Sequence, residues 1–330
     1  MSTEVAAPGR RAPSGPPPAP QEARPHRRMA ARARHHLSRY WQLWVMLAPA
    51  IAFVAVFAYV PMYGIQLAFR EFDFASGLTG GEWVGLKYFI QFFESPLFWE
   101  LMRNTVVISL STLVFGFFSP ILLALVVNQI LRSRLKRFVQ TVTYLPHFIS
   151  IVVIVGMLQV FLSPSTGLIT RFLAFFGLED VNFLGSTSAF VPVYVISDIW
   201  QHTGWNSIIY LAALAGVNTQ LYEAARIDGA TRFQIIRHVD IPALVPTMII
   251  LLILNMGGVL NTGFEKVFLM QNTLNLPVSE VIATYTYKIG ILSSQFSYST
   301  AIGLFNTIIN FGFLVLANQI AKRASDTSLW

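Results

Sequence analysis

Asp198, Gln201, His202 and Trp205 fall at i, i+3, i+4 and i+7 within one largely apolar stretch, and so share a helical face. Asn206 follows directly. Two later stretches repeat the theme with amides and small residues: Asn255, Gly258 and Thr262 with Asn261 adjacent, then Gly303, Asn306, Thr307 and Asn310. Such groups are costly in lipid, so they turn toward a bundle interior or a water-filled path. Amides satisfy hydroxyl groups and aromatic faces pack on C–H surfaces, which is the chemistry of holding a sugar. The alternative reading is helix–helix packing, where small and amide residues also concentrate. Asp198 and His202, four residues apart, are also able simply to satisfy one another. No further acid clusters with them in sequence, which argues against a metal or proton-relay site. No catalytic acid cluster stands outside the apolar runs, so no catalytic residue is expected.

Positioning these faces requires elements that cross a bilayer. The chain has 330 residues, 54% hydrophobic and only 12% charged, against roughly 45–50% and 25% in soluble domains. Several apolar runs reach the ~20 residues that span as helix. They do not alternate, which excludes a membrane β-barrel. With no cysteine, there is no disulfide framework and no cysteine metal site. The reading is an all-α polytopic membrane protein with six transmembrane helices, at about 45–68, 104–130, 138–162, 190–213, 244–264 and 297–320.

Residues 1–43 hold eight arginines and seven of the 17 prolines without an extended apolar run. Residues 1–44 therefore read as a disordered, basic, Pro-rich cytoplasmic tail rather than a signal peptide, with contact to anionic membrane lipid or nucleic acid as the alternative reading. The core domain runs over 45–320, and 321–330 forms a cytoplasmic C-terminal tail. With both termini inside, 17 of the 23 lysines and arginines fall on the inner side, as the positive-inside rule requires. The run from Arg132 to Arg137 anchors a tight inner turn between spans two and three, and His147 reads as an inside-edge residue of span three. Lys266 is counted with the outer loops. The outer segment 70–103 is rich in aromatics and reads as an interfacial segment or a contact surface for an external protein. Residues 265–296 read as a short re-entrant or surface helix.

Between spans four and five lies a polar loop, 217–243, with Glu223-Ala224-Ala225, Asp228-Gly229-Ala230 and Val239-Asp240-Ile241-Pro242. Leu221–His238 favours helix, with Gly229 as its flexible point. Pro242 is expected to end the helical stretch just before span five. Apolar Leu221, Ala225 and Phe233–Ile236 and the small Ala224, Ala225, Gly229 and Ala230 suit insertion into a groove on a partner. The alternative is an amphipathic connector lying on the membrane.

The pattern Glu-Ala-Ala-x-x-Asp-Gly-Ala, followed by a tetrad ending in Pro242, resembles the signature loop of ATP-binding-cassette importer permeases. Val239 and Ile241 stand where that family usually has Ile and Leu. Gly204-Trp205-Asn206 and Tyr210–Leu214 are similar to maltose-type carbohydrate permeases, as are Trp83–Phe89 and Asn104-Thr105. Gly257–Asn261 and Gly263-Phe264-Glu265 resemble the branch associated with aldouronate and other polysaccharide-derived oligosaccharides. Together the likeness covers about residues 40–325.

This resemblance implies the MetI-like architecture of type I importer permeases and transport of a carbohydrate by alternating access. It implies a second six-helix permease, an ATPase dimer and an extracytoplasmic solute-binding protein as partners, in a cell membrane. Glu223, Ala224, Ala225, Asp228, Gly229, Ala230 and Pro242 would form the coupling loop, with Glu223 paired to a basic residue of the ATPase and Gly229 permitting the bend. Candidate pathway residues are Asp198, Gln201, Trp205, Asn255, Asn261, Asn306 and Asn310. The chain lacks a Gly-x4-Gly-Lys-Ser/Thr phosphate loop, so ATP and Mg are expected on the partner ATPase and no cofactor on this chain. A non-sugar importer permease and, further off, a polytopic membrane enzyme are the competing readings.

Overall fold

The computed structural model describes residues 40–75, 77, 81–177, 182–261 and 263–324. The basic tail before Tyr40, the last six residues and Thr262 lie outside them. The described elements are helices; two isolated bridges, Arg70 to Trp83 and Asp73 to Gly77, are the only β pairings among them. The chain divides into two compact units, Met1–Tyr63 and Gly64–Trp330, and the boundary falls within helix α1 (Trp41–Phe69).

In the first unit every side chain from Trp41 to Met62 is exposed, as expected of an apolar surface made for lipid. The helix loosens into a π turn at Ala55–Tyr59 just before Pro61. The proline has no N–H for the Phe57 carbonyl and its ring crowds that oxygen, so a wider turn relieves both.

The second unit is organised around α3 (Phe98–Asn128). It follows α2 (Lys87–Phe93) and precedes α4 (Ser133–Phe148), α5 (Ile151–Phe161), α6 (Leu168–Ala174) and α7 (Phe190–Ala215). Then come α8 (Thr219–Ile227), α9 (Arg232–Met256), α10 (Phe264–Met270), α11 (Leu276–Ser279), α12 (Ile282–Tyr287) and α13 (Phe296–Ala324). Along α3 the residues Val106, Leu110, Val114, Phe118, Leu122 and Val126 form an exposed stripe. The opposite face feeds three cores in succession. Phe98 and Leu101 join Phe92, Tyr298 and Ile302; Ile108 joins Tyr194, Val267 and Met270; Ile121, Ala124 and Leu125 join Tyr210, Leu214 and Leu244.

Among the described residues four helices, α1, α3, α9 and α13, are long and apolar enough to cross a membrane, and the α4–α5 pair makes a fifth if it is taken as one span. Helix α7, with 26 residues, has the length of a sixth at ~1.5 Å per residue, and it is the one that carries the polar face.

Span three is not the single helix expected over 138–162. Helices α4 and α5 meet at 98°. Pro146 lies in a 3-10 turn, Ile149 is extended, and Ser150 restarts the helix by accepting from the Val153 amide at 3.4 Å. The basic residues Arg134, Lys136 and Arg137 accordingly lie on α4 rather than in a tight turn, and His147 sits in the break rather than at the inner edge of a span. Pro242 does not end the helical stretch either. A π turn at Ile236–Asp240 precedes it, and α9 runs unbroken from Arg232 to Met256. The physical reason is the one that applies at Pro61: a widened turn accommodates the ring.

Helix α7 crosses α4 at Gly204, where an added Cβ would overlap the Thr143 carbonyl. Overpacking of this kind costs about 1–3 kcal/mol. Gly204→Ala is therefore expected to lower the thermal midpoint of the purified protein, whereas Gly312→Ala, which meets nothing within 4 Å, leaves it unchanged. Equal midpoints for the two variants would contradict this contact.

Candidate functional site

A cavity of about 430 Å³ lies between α3, α7, the end of α9 and α10. Its charged wall is built by Asp198 of α7 and Lys266 of α10. Lys266 is only 2% exposed, and its ammonium stands 3.4 Å from Asp198 Oδ1. It also donates to the Tyr194 carbonyl at 3.3 Å and lies over the Tyr194 ring, 4.8 Å from its centroid. His202 Nδ1 approaches the same Asp198 Oδ1 at 3.4 Å. The expected Asp198–His202 pair thus exists but is part of a three-membered group. Lys266, counted above with the outer loops, belongs to the core. The signal for this was present: α10 reads Phe-Glu-Lys-Val-Phe-Leu-Met, a lone lysine within an apolar run too short to span.

Gln201 serves two surfaces. Its Nε2 donates at 3.2 Å to the Ile149 carbonyl, a group freed by the break between α4 and α5. Its Oε1 is buried and has no partner among the described residues, and the same holds for Thr112 Oγ1 and Thr203 Oγ1. All three residues line the cavity, as do Asn206 and Asn255. The site therefore offers hydrogen-bonding groups that no described residue uses.

The remaining pathway candidates lie elsewhere. Trp205 stacks on His147, with ring centroids 4.5 Å apart and planes 3° from parallel, and is not part of the lining. Asn261, Asn306 and Asn310 form an amide cluster of their own. Asn306 and Asn310 donate to Asn261 Oδ1 at 2.8 and 3.1 Å, and Asn310 Oδ1 accepts from the Leu260 amide at 2.9 Å. This cluster ties the irregular backbone after α9 to α13. Asp198, Gln201 and Asn255 are the three that share the cavity.

The coupling-loop residues form a second surface. Asn218 caps α8 by accepting from the Gln220 amide. The helix ends in a turn closed by Asp228 N–Ala224 O, Gly229 N–Arg226 O and Ala230 N–Ala225 O bonds of 2.9, 3.1 and 2.9 Å. Gly229 has φ +77° with open space around it, so the requirement for glycine is conformational, not steric. Thr231 and Gln234 then form a capping box that starts α9. Glu223, Ala224, Asp228 and Pro242 are exposed, while Ala225 and Ala230 are half-buried. Around them stand bare apolar side chains: Leu221 at 53%, Ile227 at 86% and Phe233 at 70% exposure.

A helical membrane protein with a polar cavity among its spans and an exposed helical loop is built as a permease. Residues 113–326 match the binding-protein-dependent transport system inner membrane component family, and the chain belongs to that family. It is 42% identical over 288 residues to a polygalacturonan/rhamnogalacturonan transport system permease protein, YteP, of Bacillus subtilis strain 168; the match covers 87% of this chain and 90% of that protein. A crystal structure of a bacterial transporter that imports the acidic polysaccharide alginate includes a chain 39% identical to this one, with a TM-score of 0.82 over 88% of this chain and 99% of that one. A second, of the alginate transporter with its pentasaccharide-bound periplasmic protein, gives 38% identity and a TM-score of 0.83 over 89% and 99%.

The buried pair yields a prediction. Removing one member of such a pair leaves an uncompensated charge and costs about 3–5 kcal/mol. Lys266→Met is expected to reduce the yield and thermal midpoint of the protein sharply. Adding Asp198→Asn to Lys266→Met restores a large part of both. A double variant no better than the single would mean that the two charges do not depend on one another.

Proposed function

We propose that this chain is one permease of an ATP-driven importer for an acidic oligosaccharide, working by alternating access. Its two termini and α8 face the cytoplasm, where α8 docks in a groove of an ATPase dimer that holds ATP and Mg; hydrolysis occurs on that subunit. A second six-helix permease completes the pathway, and an extracytoplasmic solute-binding protein delivers the sugar. The observation that carries this reading is the exposed α8 surface. Glu223 and Asp228 stand among bare Leu221, Ile227 and Phe233, in a chain with no phosphate-binding loop of its own.

Substrate class rests on the kinship with transporters of polygalacturonan and alginate, both acidic polymers, and on the cavity. Unused oxygens of Gln201, Thr112 and Thr203 suit sugar hydroxyls, while the Lys266 ammonium is already paired with Asp198. The pathway on this subunit accordingly narrows to the cavity residues Asp198, Gln201 and Asn255.

Uptake by the reconstituted transporter tests both parts. Glu223→Lys or Gly229→Asp is expected to abolish uptake while membrane insertion stays intact; normal uptake in either variant would defeat the assignment of α8. Asn255→Leu is expected to change the rate or the preference among uronate oligosaccharides several-fold. Should it carry every sugar as the parent does, the cavity is not on the path.

A further inference from the structure

Asp240 is 0% exposed, yet among the described residues no ion pair reaches it. Its carboxylate is instead held by three neutral donors from two other places in the chain. Tyr222 Oη of α8 donates to Oδ1 at 2.7 Å, Gln129 Nε2 donates to Oδ2 at 2.8 Å, and Asn128 Nδ2 reaches Oδ1 at 3.4 Å. Asn128 is the last residue of α3 and Gln129 follows it; Asp240 lies in the π turn of α9. Three elements therefore meet on one carboxylate.

A buried charge without a counter-ion is tolerated only when hydrogen bonds satisfy it. Here the donors lie on two other elements, the preceding helix α8 and the sequence-distant end of α3, so any slip between those elements bares the charge. Burial and then the bond to Asp240 push the Tyr222 hydroxyl up to about 12, so it remains a donor throughout the physiological range. The packing around the node is of one piece with it. Ile121 and Leu125 of α3, Tyr210 and Leu214 of α7 and Leu244 of α9 share one apolar core, with Ile236 against it.

The geometry points to Asp240 as a positioning residue for energy coupling: its carboxylate clamps α8 to the ends of α3 and α9, so that a push on α8 turns both spans as one lever. This rests on the reading of α8 as the ATPase contact. The clamp is a separate matter from the docking face, because Tyr222 and Asp240 point inward while Ile227 and Phe233 are bare.

The test uses the complete transporter, with ATPase and binding protein, in proteoliposomes. Sugar taken up per ATP hydrolysed is expected to fall about three-fold in Tyr222→Phe and about ten-fold in Asp240→Ala, with the ATPase still co-purifying. Tyr222→Phe combined with Asp240→Ala is no worse than Asp240→Ala alone, since both break one unit. Wild-type uptake per ATP in Tyr222→Phe with the ATPase bound overturns the clamp, and that variant carries the test should Asp240→Ala fail to fold. The chain has no cysteine, so nitroxide labels on Thr219→Cys and Val126→Cys, the latter exposed near the end of α3, report the α8–α3 distance directly. One distance with and without nucleotide, splitting into two in Tyr222→Phe, supports the clamp; a distance that changes with nucleotide in the parent overturns it. Failure of the underlying reading has its own signature, loss of neither ATPase binding nor uptake in Glu223→Lys.

Discussion

Backbone polar groups that leave a regular helix at membrane depth must find partners inside the protein, because lipid supplies none. This chain meets that constraint chiefly with amide side chains placed on the neighbouring element. Gln201 answers the Ile149 carbonyl at the bend between α4 and α5, and Asn310 answers the Leu260 amide beyond α9. Asn104 donates to the carbonyls of Pro277 and Glu280 at 3.0 Å each, and Thr105 accepts from the Ile282 amide at 2.9 Å. Asn275 bonds the carbonyls of Leu184 and Met270. All of these but the local Asn275–Met270 bond join the breaking segment to another part of the unit. The irregular stretches are thereby fixed, and the cavity between them has walls of defined position.

The same constraint explains what could be read from the residues alone. Six apolar stretches were legible because length and apolarity act locally, and α1, α3, α7 and α13 lie close to where they were expected, whereas α9 begins at Arg232 rather than near 244 and ends at Met256 rather than near 264. The break in span three was not legible, because proline has no fixed effect. Pro120 and Pro246 sit inside helices that continue, whereas Pro146 marks a 98° bend. The difference lies in the surroundings: at Pro146, Gln201 and the His147–Trp205 stack of another helix receive what the break exposes. Asparagines suffered the same ambiguity. Asn255 faces the cavity, while Asn306 and Asn310 hold backbone and one another, and nothing in their spacing distinguishes these uses. Lys266 was misplaced because its partner, Asp198, is 68 residues away.

The loop between α7 and α9 was the most legible part, since its requirements are local. Gly229 needs its positive φ and the motif supplies it, whereas the caps at Asn218 and Thr231 lie outside the motif and came from the structure. The node beneath it was invisible for the opposite reason. Asp240 looked like one more charge in a polar stretch, and only the fold brings Gln129 and Tyr222 to it. Cavity and loop are thus joined through α3, α7 and α9, which contribute to both regions.

The bareness of Ile227, 86% exposed at the tip of α8, also bears on how the chain behaves alone. With Leu221 and Phe233 also bare, the loop carries an apolar patch that is stable in water only while something covers it. On the reading of α8 proposed above, the partner that receives the push is also what covers the patch, so a copy without it is the more prone to associate with itself.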